Sequence, residues 1–484
     1  MVERDVDYKV SPQNYFPQER QGGCALMKLP WKFKLLRILG SIGRILNCRL
    51  CLFLTPNRGI VHSFQFFTGI NFYGHLLNFV LLCTLVATSF SAENKKDYIP
   101  ELSEFPPPDT GVYIAGELVI VDPINRRGGL RLDGDFNDDR YDKASAHLFA
   151  MLPYGMIWYH GAPAELRDVP IGTHLHGRFY LPPEGSKTIP PPEGPPQYVP
   201  KHNHAILLED DFSFYQRRGQ AWKILSVELR YDSSSKHFPG LNQNGDWQKV
   251  PVEGKLKVVP IGHVVNDELK NEQTFEVDRF THIWKGNGVI EWEDIAPENA
   301  WTMKDNVRSV VLEAQFVQVG LTWAPEWKNR QFHVADLWFD EESRKLATKH
   351  QVRVHHRYQL YRGLAAVVEQ VKHQGQGKGI VTITLFSGMD NTLYDDFRVG
   401  SSVTLCAAEE TLRTYWRDHD NKESSIIDIK QTESPPLGSS GIQLHIQIDE
   451  LLEGFRRGRF VRVDRTHWPR VKLPPEERVH HSPP

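Results

Sequence analysis

Cysteine is scarce where it would matter for the fold. The 484-residue chain has five, and Cys24, Cys48, Cys51 and Cys83 all lie in or before one apolar run. Only Cys406 follows it, so the body of the chain has no internal disulfide and must be held by core burial, which its length permits. Cys406 sits among Val403, Leu405 and Ala407 and reads as a buried small apolar residue. A membrane-length hydrophobic run is lacking too: Leu76–Ala87 falls short of the roughly 20 apolar residues a span needs. Excess charge of one sign is missing. The net charge of -3 argues against a field that would gather nucleic acid or an anionic membrane. No Gly-rich phosphate loop precedes Lys-Ser/Thr, and neither Gly-x-Ser-x-Gly nor His-Glu-x-x-His occurs. Cys48-Arg-Leu-Cys51 is a lone pair, not expected to form a redox or zinc site.

What the apolar run does fit is a secretory signal, whose core needs only about 7–15 residues before small residues at a cut. Thr88-Ser-Phe-Ser-Ala92 supplies those, and charged, Pro-rich sequence follows. Residues 1–92 are therefore read as a disordered leader region, with an exported N-terminus expected between Ser91 and Lys95 and an extracytoplasmic body. The basic, apolar stretch Lys28–Arg49 precedes the run. It is read as translated upstream sequence from a start assigned too early, with a conventional start near Val61; a membrane-surface helix or an uncleaved anchor are the alternatives.

After an extended linker at 93–111, β-type alternation begins. Ile114–Asp122 alternates and ends in Pro123-Ile-Asn125, and short apolar stretches follow at Gly129–Leu132, Phe149–Leu152, Met156–Tyr159, Leu175–Leu181, His204–Leu208 and Trp222–Leu229. Strands this short predict small barrels or sandwiches. A local pattern recurs: apolar residues six and three before a glycine, and another three after it. It occurs around Gly172 (Leu166, Val169, Leu175), Gly400 (Tyr394, Phe397, Val403) and Gly458 (Leu452, Phe455, Val461). Such a glycine suits a positive φ where the chain turns into a strand, and the residue three later should re-enter the core.

Gly116-Glu-Leu-Val-Ile-Val-Asp122, followed by Ile157-Trp-Tyr-His-Gly-Ala-Pro-Ala-Glu-Leu-Arg-Asp-Val-Pro-Ile-Gly172, resembles the small OB-like barrel modules of bacterial exported proteins. The resemblance is best over 112–229, with weaker copies from Gly254 and from Leu364, and the insertion Asp135–Ala146 departs from it. It implies fold rather than activity, because those modules have none settled. The expected fold class is all-β, with tandem OB-like barrels at 112–250, 251–339 and 361–468, the last with an extra hairpin. Residues 340–360, acidic first and basic last, predict a linking helix. Pro182–Pro200 reads as an exposed loop and 469–484 as a disordered tail.

Histidines carry the sharpest chemical expectation. His174-Leu-His176 and His202-Asn-His204 are two H-x-H pairs, and His160 could join them. Residues two apart on a strand share a face, so each pair would present two imidazoles to Zn or Cu. Thr173-His-Leu-His-Gly177 resembles the first copper motif of multicopper oxidases, but that family's other histidine motifs are absent. The plainer alternative is hydrogen-bonded strand histidines. Asp133, Asp135, Asp138 and Asp139 have the composition of a cation loop without its spacing. Glu209-Asp-Asp211 reads as a turn, and Glu291, Glu293 and Asp294 as surface carboxylates. The many tryptophans suit either a core or a polymer-binding face, with Trp323 and Trp327 the best exposed candidates. Basic stretches at His350–Arg362 and Arg456–Arg459 are interleaved with acids and read as solvated faces. Together these features predict non-enzymatic binding or scaffolding at the cell envelope. The expected partner is an envelope protein or polysaccharide; neither nucleic acid nor a membrane span is expected. The alternative is a metal-binding protein or metal-dependent envelope enzyme built on His174, His176, His202 and His204.

Overall fold

The computed structural model describes residues 98–477, except 102–104, 108–109, 124, 134–145, 184–199, 231–239, 242–246, 249–252, 263–270, 279, 306, 313–314, 324–331, 408–419 and 470. The leader, the Pro-rich loop and tail for the most part, and Asp135, Asp138, Asp139 and Trp327 lie outside the described residues. Among the described residues no helix is long and apolar enough to cross a membrane.

The first barrel contains β1 (Val112–Asp122), β2 (Arg127–Leu132), β3 (His147–Tyr159), β5 (His174–Tyr180) and β6 (His204–Asp210), with β4 (Ala162–Ala164) hairpinned onto β3. Pairing runs β1-β2-β3-β6-β5 and back to β1, with β3 and β6 parallel, which is the strand order of an OB-like Greek-key barrel. Helix α1 (Asp211–Arg217) follows. The second barrel repeats this circuit with β7 (Gln220–Arg230), β10 (Glu253–Gly262), β11 (Gln273–Val277), β17 (Phe332–Trp338) and β16 (Phe316–Trp323), where β11 and β17 are parallel. A short hairpin, β8 (Gly240–Leu241) with β9 (Trp247–Gln248), stands apart. Hairpins β12–β13 (His282–Lys285, Gly288–Ile290) and β14–β15 (Thr302–Lys304, Val307–Val311) extend the second barrel's sheet.

Trp222–Leu229 was expected to complete the first barrel. It belongs instead to β7, the first strand of the second, so the second barrel begins after α1 rather than at residue 251. Its alternating Trp222, Ile224, Val227 and Leu229 are all buried, but pairing is set by β10 and β16, far along the chain. The linking helix α2 spans Glu341–Arg362. Asp340 caps it by accepting from Ser343 N–H at 2.7 Å, and Gly363 ends it at φ +88°.

The third barrel is a closed ring of six strands in the order β18-β19-β22-β21-β20-β23: Leu364–Gly375, Lys378–Phe386, Ser439–Ile448, Asp420–Gln431, Ser402–Ala407 and Phe460–Arg465. A short helix, α3 (Asn391–Tyr394), follows β19. Exchanging β18-β19-β20 for β21-β22-β23 maps the pairings of this ring onto one another or onto themselves, so the barrel has an internal two-fold in its topology.

Two of the three patterned glycines, Gly400 and Gly458, stand at equivalent places in this symmetry. Gly172, Gly400 and Gly458 have φ of +100°, +83° and +82°, and each lies two residues before a strand. Each N–H donates to a buried strand carbonyl: Leu118 (2.8 Å), Ile426 (2.7 Å) and Val368 (2.7 Å). The same three residues donate back to the carbonyls of Thr173, Ser401 and Arg459, and a bulge follows each of them. Leu175, Val403 and Val461, three residues after the glycines, are fully buried. A recurring bulge-and-glycine clasp thus fixes one strand entry in the first barrel and two in the third.

Each barrel has its own core, around Leu118, Phe149 and Phe179 in the first, Trp222, Ile224 and Val334 in the second, and Val368, Ile383 and Leu444 in the third. Polar contacts join them. Arg462 of β23 pairs with Glu165 beside β4, and Tyr154 of β3 donates to Glu369 of β18. Helix α2 packs against β4, against β12 and β17, and against β18 and β23, and so touches all three barrels.

Candidate functional site

His174 and His176 lie at the start of β5, opposite Glu117 and Ala115 of β1. Strand geometry puts both rings on one face. They were expected to point outward if Leu175 pointed in. Leu175 is in the core, but both histidines are buried as well, because α1 and β16 of the second barrel cover that face. Asp211 is the first residue of α1, whose cap is Asp210, accepting from Ser213 N–H at 2.9 Å. This capped turn aims the Asp211 carboxylate at the two rings.

Asp211 Oδ1 lies 2.9 Å from His174 Nδ1 and 3.0 Å from His176 Nε2. Its Oδ2 accepts from Leu321 N–H of β16 at 2.8 Å. The far nitrogen of each ring is also held: His174 Nε2 lies 2.9 Å from Asp133 Oδ2, and the Tyr113 hydroxyl 2.6 Å from His176 Nδ1. The His176 ring stacks on Phe214 at 3.8 Å, and His174 meets the edge of Phe332 of β17.

These contacts set the protons. Burial opposes a charge on His174, but Asp211 and Asp133 outweigh it and push its pKa up to about 10, so both of its nitrogens donate. His176 is driven down, chiefly by burial, and stays neutral, with Nε2–H donating to Asp211 and Nδ1 accepting from Tyr113. Burial would raise the Asp211 carboxyl, yet His174 and His176 hold it well below the usual carboxylate range. The site thus contains an imidazolium between two carboxylates, followed by a neutral imidazole and a phenol.

His174, His176 and Asp211 also have the ligand types and spacing to hold a metal ion: one atom from each lies within 4.8 Å of the others. Asp133 and Tyr113 would then fix the rings, as partners of metal-bound histidines commonly do.

The other expected ligands lie elsewhere. His202 precedes β6, and its backbone carbonyl accepts from His147 Nε2 at 2.9 Å. His204 is in β6, with Nδ1 at 2.6 Å from Asn203 Oδ1 and Nε2 buried without a partner. Burial pushes His204 down to about 4. His160 packs on Tyr159 and meets the edge of Trp338, and burial with nearby His350 lowers it to about 3. The five histidines therefore do not converge; only His174 and His176 do. Trp323 ends β16, and its side chain, like Trp327, is not among the parts described. Trp222, Trp292, Trp301 and Trp338 are core residues, and Trp158 and Trp284 are half-buried under Arg217 and beside Asp336.

Sequence reading missed the acids of this cluster. Asp211 carries the N-terminal signal of a helix, an Asp-Asp pair before an aromatic run, and that was the available clue. Asp133 was noticed only as part of an acidic loop. No family model, no curated protein and no solved structure matches this chain.

Proposed function

We propose that the chain is a non-enzymatic binding or scaffolding protein working outside the cytoplasm. The observation that supports this best is where the reactive side chains are used. His174, His176 and Asp211 are buried between two barrels, and every imidazole nitrogen of the pair has a protein partner. Groups serving as a staple are costly to remove. The His174→Gln/His176→Gln double variant is therefore expected to lower the denaturant midpoint sharply. An unchanged or raised midpoint would count against the staple. Export is supported by the run Leu76–Ala87 and the small residues after it. Mass spectrometry of the secreted protein should find its N-terminus between Ser91 and Lys95.

A second reading, a bound metal ion, is favoured by charge. Asp133 and Asp211 place two negative charges against the single positive charge of His174. A divalent ion with neutral His174 would balance both carboxylates. Zn or Cu held by His174 Nδ1, His176 Nε2 and Asp211 Oδ1 is the reading to test, by metal analysis of the purified chain beside the same double variant. Stoichiometric metal that is lost on substitution supports it; metal-free protein with an intact fold removes it.

A further inference from the structure

Outside the barrel seam, the third barrel carries a groove of 710 Å³ on its outer face. Its floor is formed by β18, β19, β22 and β21, and the loop containing Phe455 and Arg457 makes one wall. The internal two-fold passes through its middle. Thr382 and His445 face each other across β19 and β22, and they occupy equivalent positions opposite Gln370 and Asp428.

The floor is polar. Gln443 and Thr382 line it beside His445, whose Nδ1 lies 3.3 Å from the Thr382 hydroxyl and whose Nε2 is buried without a partner. Lys430 and Arg457 are exposed at opposite sides. Glu369, the carboxylate in the lining, already takes the Tyr154 hydroxyl of the first barrel, and burial pushes its carboxyl up against the opposing pull of Arg457; Asp428, opposite His445 on β21, is a second and exposed carboxylate beside the floor. The groove therefore offers cations at its rims and hydrogen-bonding groups between them.

We propose that this groove binds a segment of acidic polysaccharide, with Lys430 and Arg457 taking its carboxylates and Gln443, Thr382 and His445 its hydroxyls. The proposal rests on the binding-protein reading and names its ligand class. A closed ring leaves no strand edge for an extended peptide to join, so recognition here must come from side chains. The lining phenylalanine, Phe455, is buried, so it offers no stacking platform for the bases of a single-stranded nucleic acid. Arginine paired with carboxylate is the strong, directional contact that the rim supplies.

The test is calorimetric titration of the whole chain with oligogalacturonate at low and physiological salt, beside the Lys430→Gln/Arg457→Gln variant. The parent chain should bind, more weakly as salt rises. The variant should lose about tenfold or more in affinity while its thermal midpoint holds. A neutral malto-oligosaccharide should not bind. No binding of oligogalacturonate, binding indifferent to the two substitutions, or equal binding of poly-glutamate would each overturn the assignment. Chromatography of the glycan after incubation separates the two readings. Cleaved product would sink the non-enzymatic reading while leaving the groove assignment intact; intact glycan that binds supports both.

Discussion

Leu321 and Asp211 meet through the 2.8 Å hydrogen bond from the Leu321 N–H to Asp211 Oδ2. The other oxygen of that carboxylate holds His174 and His176, so one side chain couples a strand of the second barrel to a strand of the first. Asp211→Asn keeps an oxygen for Leu321 but turns an amide N–H₂ toward two ring donors. It also leaves His174 charged against Asp133 alone. The expected loss is about 3–5 kcal/mol, the scale for breaking a buried charged network from one side. Urea unfolding of the variant checks this, and a loss within experimental error would show that the seam is held by apolar packing instead.

Acid should weaken the fold before its carboxylates titrate. His160 and His204 are held neutral by burial, at about 3 and about 4, whereas an unfolded histidine titrates near 6.5. The unfolded chain therefore takes up protons first as pH falls. The contribution of each residue is fully present above about 6.5 and declines toward its folded pKa, by at most about 1.4 kcal/mol per pH unit. Unfolding midpoints measured from pH 7.5 down to 4.5 should fall, and His160→Asn should flatten the slope. Asparagine suits the position because His160 has a φ of +50°. An identical slope in the variant would assign the acid sensitivity to other groups.

The pair Arg462 and Glu165 makes a similar joint between the third and first barrels, with side chains 6% and 17% exposed. Arg462 also donates to the Gly363 carbonyl at 3.2 Å, just past α2. Arg462→Leu alone should cost about 3 kcal/mol by stranding Glu165. Adding Glu165→Leu should recover much of that, because two apolar partners leave no charge to satisfy. A double-mutant cycle in which the two losses simply add would mean that the pair is not coupled.

Local signals in the chain were legible and pairing was not. Acidic residues first and basic residues last over Asp340–His350 located α2 to within a residue or two. The glycine pattern located three strand entries, because a positive φ and a buried residue three later are properties of a short segment. The His174 and His176 pair was visible for the same reason: both lie inside one strand. His202 and His204 have the same spacing, but His202 falls before β6, so the two-residue period does not apply to them. Asp133 and Asp211 reach the histidines through barrel closure and helix docking, and nothing at those positions in the sequence announces the meeting. The placement of β7 failed likewise, since its alternation fits any half-buried strand and its partners follow it in the chain.

Because α2 lies against strands of every barrel, its loss would loosen all three at once. Tandem modules on flexible tethers rupture one after another when pulled, each giving its own force peak. Here, stretching across the three barrels should produce a single dominant rupture, set by the moment the helix peels away.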